Sequence, residues 1–436
     1  MNTNSFVSRS QGGWLRVAVA LAVALGILAA CNSDSSSSDF PVIVPVPNAV
    51  VIADVNGAPD LLVATTADEG LAHNPGFANV ILNTPGSLGT FAKGTGLTYA
   101  TTGNDPSSIT VADLSGSGSL DMVIANWGSG SVSVFMHGSS PGIFLPAVDV
   151  PTGGAPNQVV SCDPHGAVTC DLTGNGKPSL ILADMSNSGN AIVLMVDPAN
   201  PGQFLTPLKL PTGAFTPSAA VGDLNGDGIP DIVACGYDTA GNNGAVYVFI
   251  QDPKNRGTFL PPVSFPAGPQ PQSVKIADVN GDGLPDLIVA NLGPGRDGKG
   301  SAGVSVLLQD PSNHGSFLPA VTYTTPGVSI DVAVGSCPGA SCSDLNGDNL
   351  PDLVVANLAP DPTGSISVLL QDPANRGTFR AATNYPAFGQ PLSVAIWDLN
   401  GDGHRDIAAA DGASAIVLFQ NAASPGTFAQ PVQVGF

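Results

Sequence analysis

The sequence predicts an all-β protein, a seven-bladed β-propeller of four-stranded antiparallel blades. A nine-residue loop occurs complete four times, as DLNGDGIPD from Asp223, DVNGDGLPD from Asp278, DLNGDNLPD from Asp344 and DLNGDGHRD from Asp398. Reduced copies begin at Asp54, Asp113 and Asp171, which brings the register to seven. A second signature, Gly-x-Phe, occurs once per copy and ends at Phe91, Phe144, Phe204, Phe259, Phe317, Phe379 and Phe428. Two independent markers in one phase define an internal repeat.

Within a copy the elements follow a fixed order. In the fifth, Ser273-Val274-Lys275-Ile276-Ala277 enters the loop and Leu287-Ile288-Val289-Ala290 leaves it. After a Gly-rich connection comes Val304-Ser305-Val306-Leu307-Leu308, then Gly-x-Phe, then Ala320-Val321-Thr322-Tyr323. Short runs rich in β-branched residues with Gly and Pro punctuation are strands rather than helices. Four strands per copy and seven copies make a propeller. Residues 41–436 are assigned to it. They are more than one hydrophobic core usually organises, and a ring of small modules resolves that.

Each complete loop sets oxygen-bearing side chains at positions 1, 3, 5 and 9 of a tight turn. Calcium takes six to eight oxygen ligands at about 2.3–2.6 Å, so this pattern suits a hard cation. Turn chemistry without metal is the alternative, since Asp, Asn and Gly favour turns by themselves. That alternative suits the reduced copies. The first loop is DVNGAPD, from Asp54 to Asp60; the second has Ser115 and Ser117 between Asp113 and Asp121; the third has Thr173, Asn175 and Ser179 around Asp171. Fewer charges mean weaker calcium binding.

Over residues 41–436 the chain resembles the FG-GAP/VCBS repeat family, the propeller of integrin α-subunit heads. The resemblance implies about four Ca2+ ions, bound by loops joining the first two strands of a blade. Carried onto this chain, the ligands are Asp223, Asn225, Asp227 and Asp231, then Asp278, Asn280, Asp282 and Asp286. The other two sets are Asp344, Asn346, Asp348 and Asp352, and Asp398, Asn400, Asp402 and Asp406. Carbonyls of Ile229, Leu284, Leu350 and His404 complete them. Asn349 stands where the other loops have glycine, and asparagine tolerates the left-handed conformation.

Residues 1–30 read as a signal peptide, with Arg9 and Arg16 ahead of an apolar run too short to span a bilayer comfortably. Leu28-Ala29-Ala30-Cys31 resembles the lipobox of bacterial lipoproteins, which implies cleavage before Cys31 and lipid on its sulfur. Residues 31–40 form a lipidated, Ser-rich tether. The expected location is the bacterial cell envelope, at the outer membrane or cell surface, with the lipid as the sole membrane contact. The formal charge of −21 becomes −23 once Arg9 and Arg16 leave. Such a surface repels nucleic acid.

Export permits disulfides, and Cys162–Cys170 and Cys337–Cys342 read as short staples just before Asp171 and Asp344. A metal site is the rival reading for these pairs, but neither has CxxC spacing and His165 alone does not complete a set. Cys235, in an apolar run, reads as a buried small hydrophobe.

The expected function is a calcium-stabilised binding or adhesion module for a protein or glycan, with no catalytic residues. A calcium-dependent lectin is one alternative. A carbohydrate-active enzyme using carboxylates on the face away from calcium is another. The five histidines form no constellation, and an HExxH motif is absent. Candidate ligand-binding residues lie on connections between second and third strands, at residues 65–77, 236–244 and 291–302. They are Tyr237, Asp238, Arg296 and Asp297, with Trp127 on an equivalent connection. Trp127 and Tyr237 could stack on a sugar ring. The oligomeric state is not legible. Cys31→Ser is expected to abolish incorporation of labelled fatty acid and to alter processing of the precursor; a variant that still carries the label contradicts the lipobox.

Overall fold

Twenty-eight strands, taken four at a time in chain order, pair into seven antiparallel sheets in the computed structural model. It describes residues 45–434 apart from 57–58, 68–74, 84–96, 161–170, 201, 214, 239–243, 294–301, 335–343, 360–362 and 412–414. In blade five the strands are Pro271–Ala277, Asp286–Asn291, Gly303–Leu307 and Val321–Thr324, as the sequence pattern predicts. The first strands of successive blades adjoin one another around the ring, so they line its centre. The fourth strands form the outer edge, where Val263 and Val321 are exposed.

The hydrophobic cores lie between blades. Seven apolar clusters each join two neighbours. In the second strand of blade four, Ile232 and Ala234 pack toward blade three while Val233 and Cys235 pack toward blade five. Both faces are covered, which is why second strands read as unbroken apolar runs rather than alternating ones. Cys235 is fully buried with a free thiol, and burial pushes that thiol up to about 12. It is inert packing.

Ring closure uses no shared strand. Blade one is built from the first four strands and blade seven from the last four. Their junction is a core of the same kind, with Val50, Ile52, Leu61 and Val63 against Leu399, Ala408 and Val417. Asn83 Nδ2 adds a 3.0 Å bond to the Leu399 carbonyl.

Gly-x-Phe turns out to be an inter-blade clasp. Phe144, Phe317, Phe379 and Phe428 each meet an aromatic ring on the fourth strand of the preceding blade. The partners are Tyr99, Phe265, Tyr323 and Tyr385, edge-on at centroid distances of 5.4–5.8 Å. Such pairs contribute about 0.5–1.5 kcal/mol beyond their buried area. The backbone N–H groups of Phe144 and Phe428 donate to the Tyr99 and Tyr385 hydroxyls at 3.1 Å. The glycine is favoured by a left-handed backbone, with φ of 79° at Gly377 and 82° at Gly426, and by close approach. A Cβ on Gly377 would stand 3.0 Å from the Asn280 Cβ in the preceding blade's loop.

Polar side chains sew the inner strands together. Asn48, Ser107 and Asn157 each donate to a carbonyl of the next blade, at Pro106, Pro156 and Pro217. Asp331 joins three blades. Its Oδ1 accepts from Ser273 at 2.7 Å and faces Lys275 at 3.6 Å, while Oδ2 accepts the Val394 N–H at 3.1 Å. Removing a charged acceptor leaves its donors unmatched, at roughly 1–3 kcal/mol. Asp331→Ala is therefore expected to lower unfolding free energy by about 2 kcal/mol; denaturant melts that coincide with wild type would contradict this bridge.

Candidate functional site

The loop between first and second strands is built by its first aspartate. In blade four Asp223 Oδ1 accepts the N–H groups of Gly226 at 2.7 Å and Asp227 at 3.1 Å, and Oδ2 accepts Gly228 at 2.8 Å. Gly226 and Gly228 have φ of 77° and 78°, the left-handed turn that makes these amides converge. Asn349 holds φ of 63° at the second of these positions in blade six, and its N–H reaches Asp344 at 2.8 Å. Asp278 and Asp398 repeat the pattern.

The inner oxygens are oriented the same way. Asn225 Oδ1 accepts Asp227 N–H, and Asp227 Oδ1 accepts Ile229 N–H, at 2.9 and 2.8 Å. Asn225 Nδ2 donates to Asp227 Oδ2 at 3.0 Å. Asn280 with Asp282, Asn346 with Asp348 and Asn400 with Asp402 do likewise. Leu284, Leu350 and His404 supply the position 7 amides.

The ninth residue is a buried clamp. Asp231 Oδ2 accepts Leu224 N–H at 2.9 Å, inside the loop, and Oδ1 accepts Gln251 N–H at 2.7 Å, just past the third strand. Asp286, Asp352 and Asp406 make the matching pairs with Val279 and Gln309, Leu345 and Gln371, and Leu399 and Gln420. Burial pushes Asp231, Asp286 and Asp352 up to about 7 and Asp406 to about 6, against the pull of those amides. The clamp also exists in reduced copies, as Asp60 and Asp121.

A glutamine buttresses the complete loops alone. Gln251, Gln309, Gln371 and Gln420 donate through Nε2 to the carbonyl at position 8, at 2.8–2.9 Å. Blades one to three have Asn83, His137 and Val196 at that bridge. The recurrence of Gln after four third strands was a readable signal that the loop motif overshadowed.

The loops of blades two and three reach the same turn without the extra carboxylates. Asp113 accepts Gly116, Ser117 and Gly118 amides, and Ser117 Oγ replaces the position 5 carboxylate in accepting Ser119 N–H. Asp171 accepts Asn175 and Gly176. Three aspartates per loop in blades four to seven therefore add mutual repulsion that the turn does not require. The donors are all oxygen, which fits a hard divalent cation. Among the described residues no three carboxylate, imidazole or thiol groups stand ready-clustered, because the position 9 carboxylate faces its amides.

On the opposite face Trp127 is half-buried at a tight turn, its N–H donating to the Asp105 carbonyl at 3.0 Å. Tyr237 is only 3% exposed, packed 5.8 Å from the Phe215 ring, and offers no face for stacking. Asp238 follows it, half-buried. Asn126, Asn291 and Asn357 bond to Ser133, Ser305 and Ser367 across to the third strand. Cys31, Arg296, Asp297 and both cysteine pairs lie outside the described residues.

An FG-GAP-like repeat matches residues 171–234, 238–289 and 344–409, and an FG-GAP repeat matches 271–308. These spans contain the loops of blades three to seven. With its seven-bladed ring, the chain is a β-propeller that carries FG-GAP repeats across blades three to seven. No curated protein matches it in sequence. Its fold is similar to that of a candidate 6-phosphogluconolactonase of Bacteroides uniformis, at 16% identity and TM-score 0.50, covering 85% of this chain and 95% of that one. A Bacteroides fragilis counterpart gives 13% identity and TM-score 0.51, with 92% and 98% covered. An Agrocybe aegerita lectin that recognises terminal N-acetylglucosamine matches at 17% identity and TM-score 0.34, with 90% and 80% covered. At these identities the likeness to the two Bacteroides proteins is one of fold.

Burial pushes Asp60 from 3.8 up to about 7, against the amides of Asn83 and Val55. Between those values the folded protein holds a proton that the unfolded chain has released, so this group's contribution to stability falls as pH rises through the window. Melting temperature in EGTA is expected to fall from about pH 5 to about pH 8, less steeply in Asp60→Asn; a rise across that range would contradict the burial.

Proposed function

We propose that the chain is a calcium-stabilised, membrane-anchored extracytoplasmic propeller that binds a protein or glycan partner. The carrying observation is the carboxylate surplus. Blades four to seven concentrate three aspartates in a turn that blade two completes with serines. A divalent ion removes the repulsion, and about four ions cancel roughly eight negative charges. The residues that would hold each ion are those at positions 1, 3 and 5, with the position 7 carbonyl and the clamp aspartate behind them. The ion would supply charge neutralisation and a rigid loop. The role is binding rather than catalytic: the described histidines His137, His314 and His404 sit in separate blades, and the buried carboxylates hold backbone amides.

Ions that bind only the folded state stabilise it with the logarithm of their free concentration. The mature domain is expected to bind about four calcium ions and to melt higher in millimolar calcium than in EGTA. Asp282→Ser, which copies blade two, should remove one ion and keep the fold, while Ser117→Ala should remove none. A melting temperature indifferent to calcium, or an unchanged ion count in Asp282→Ser, would overturn the reading. Gln371→Ala should weaken one calcium site in isothermal titration while leaving the other three as in wild type; four unchanged sites would show the glutamine to be dispensable.

A further inference from the structure

Strand register fixes where the chain enters the ring. The first strand, Pro45–Asp54, pairs Pro45 with Ala67 and Asp54 with Pro59. Its Asp54 end is therefore the loop end, and Pro45 lies at the other face, beside the connection between second and third strands. The last strand, Val432–Val434, pairs Val434 with Ala415, the start of the neighbouring third strand. Both ends of the described chain emerge on the face opposite the carboxylate loops.

Only 13 residues separate Cys31 from Pro45. Fully extended, they reach at most about 50 Å. The first strand is innermost in its blade. A tether that turned the loop face to the membrane would first cross three strand spacings, about 15 Å. It would then descend the length of a ten-residue strand, about 33 Å. That exhausts its reach before any side chain is cleared. Charge acts in the same direction. The loops carry 17 of the 33 aspartates, and Asp197, Asp252, Asp310 and Asp372 lie in turns at the same end. Lys177, Lys254, Arg256, Arg376 and Arg405 at the same end offset part of that charge, and bound calcium would offset more. Carboxylates remain in excess, and an anionic bilayer repels such a face.

Resting on the lipid-anchored reading, we infer that the connection face is held against the bilayer and the carboxylate-loop face is presented outward, as the surface that meets partners. Trp127 and the strand ends at Tyr237 and Asn291 then lie on the membrane side. Partner contacts fall on the loops and on the Gly-x-Phe turns beside them. Polyanions are disfavoured there by the same carboxylates.

The test places one fluorophore on each face of the acylated full-length protein in vesicles carrying a lipid-borne energy acceptor. Ala374→Cys marks the loop face and Pro326→Cys the connection face, both at exposed positions. Wild-type protein taken through the same labelling gives the background. Energy transfer is expected to be several-fold stronger from position 326 than from position 374. Equal or reversed transfer in a protein whose mass includes the acyl chains overturns the orientation and leaves the anchoring intact. A mature protein without acyl mass overturns the anchoring and the orientation with it.

Discussion

A buried aspartate at the head of the second strand holds each of six blades in shape. One oxygen grips an amide inside the preceding loop and the other grips an amide just past the third strand. Two connections far apart in sequence are thereby fixed to one carboxylate. The loop cannot shift without breaking a buried, charge-assisted bond, which is among the stronger bonds available to a protein. Blade three, with Ser179 at this position, lacks the carboxylate. Where the clamp is present it ties the loop to the turn after the third strand; blade three reaches the same loop turn through Asp171 alone.

The blades couple through what the clamp positions. The glycine of one blade's turn rests on the asparagine of the preceding loop, as Gly377 does on Asn280 and Gly426 on Asn346. The phenylalanine two residues on closes against the preceding fourth strand. Ordering a loop in one blade therefore also orders packing in the next. A ring closed by side-chain packing and the Asn83 bond, with no strand exchanged between its ends among the described residues, depends on such contacts at its junctions.

Much of this was legible in the sequence because the repeat carried two markers. The strand order of blade five and the left-handed Asn349 follow from local chemistry, and the structure reproduces both. Contacts between copies were less visible. Gly-x-Phe could be counted but not given a partner, because Tyr385 and Phe428 are 43 residues apart and meet only when neighbouring blades pack. Asp331 stands outside every motif and acquires its role from three blades. Tyr237 looked available beside a Gly-rich connection, yet Phe215 covers it. Periodicity reports the module; the packing of one module on another lies beyond it.

Under the proposed function four loops hold a hard cation, although their carboxylates do not stand ready-clustered, and the loops of blades two and three reach the same turn without one. Anomalous diffraction at long wavelength, from crystals grown in calcium, tests it most directly. The account predicts four peaks, each about 2.3–2.6 Å from side-chain oxygens at positions 1, 3 and 5 in blades four to seven. Peaks of equal height in blades two and three, or none in blades four to seven, would contradict it.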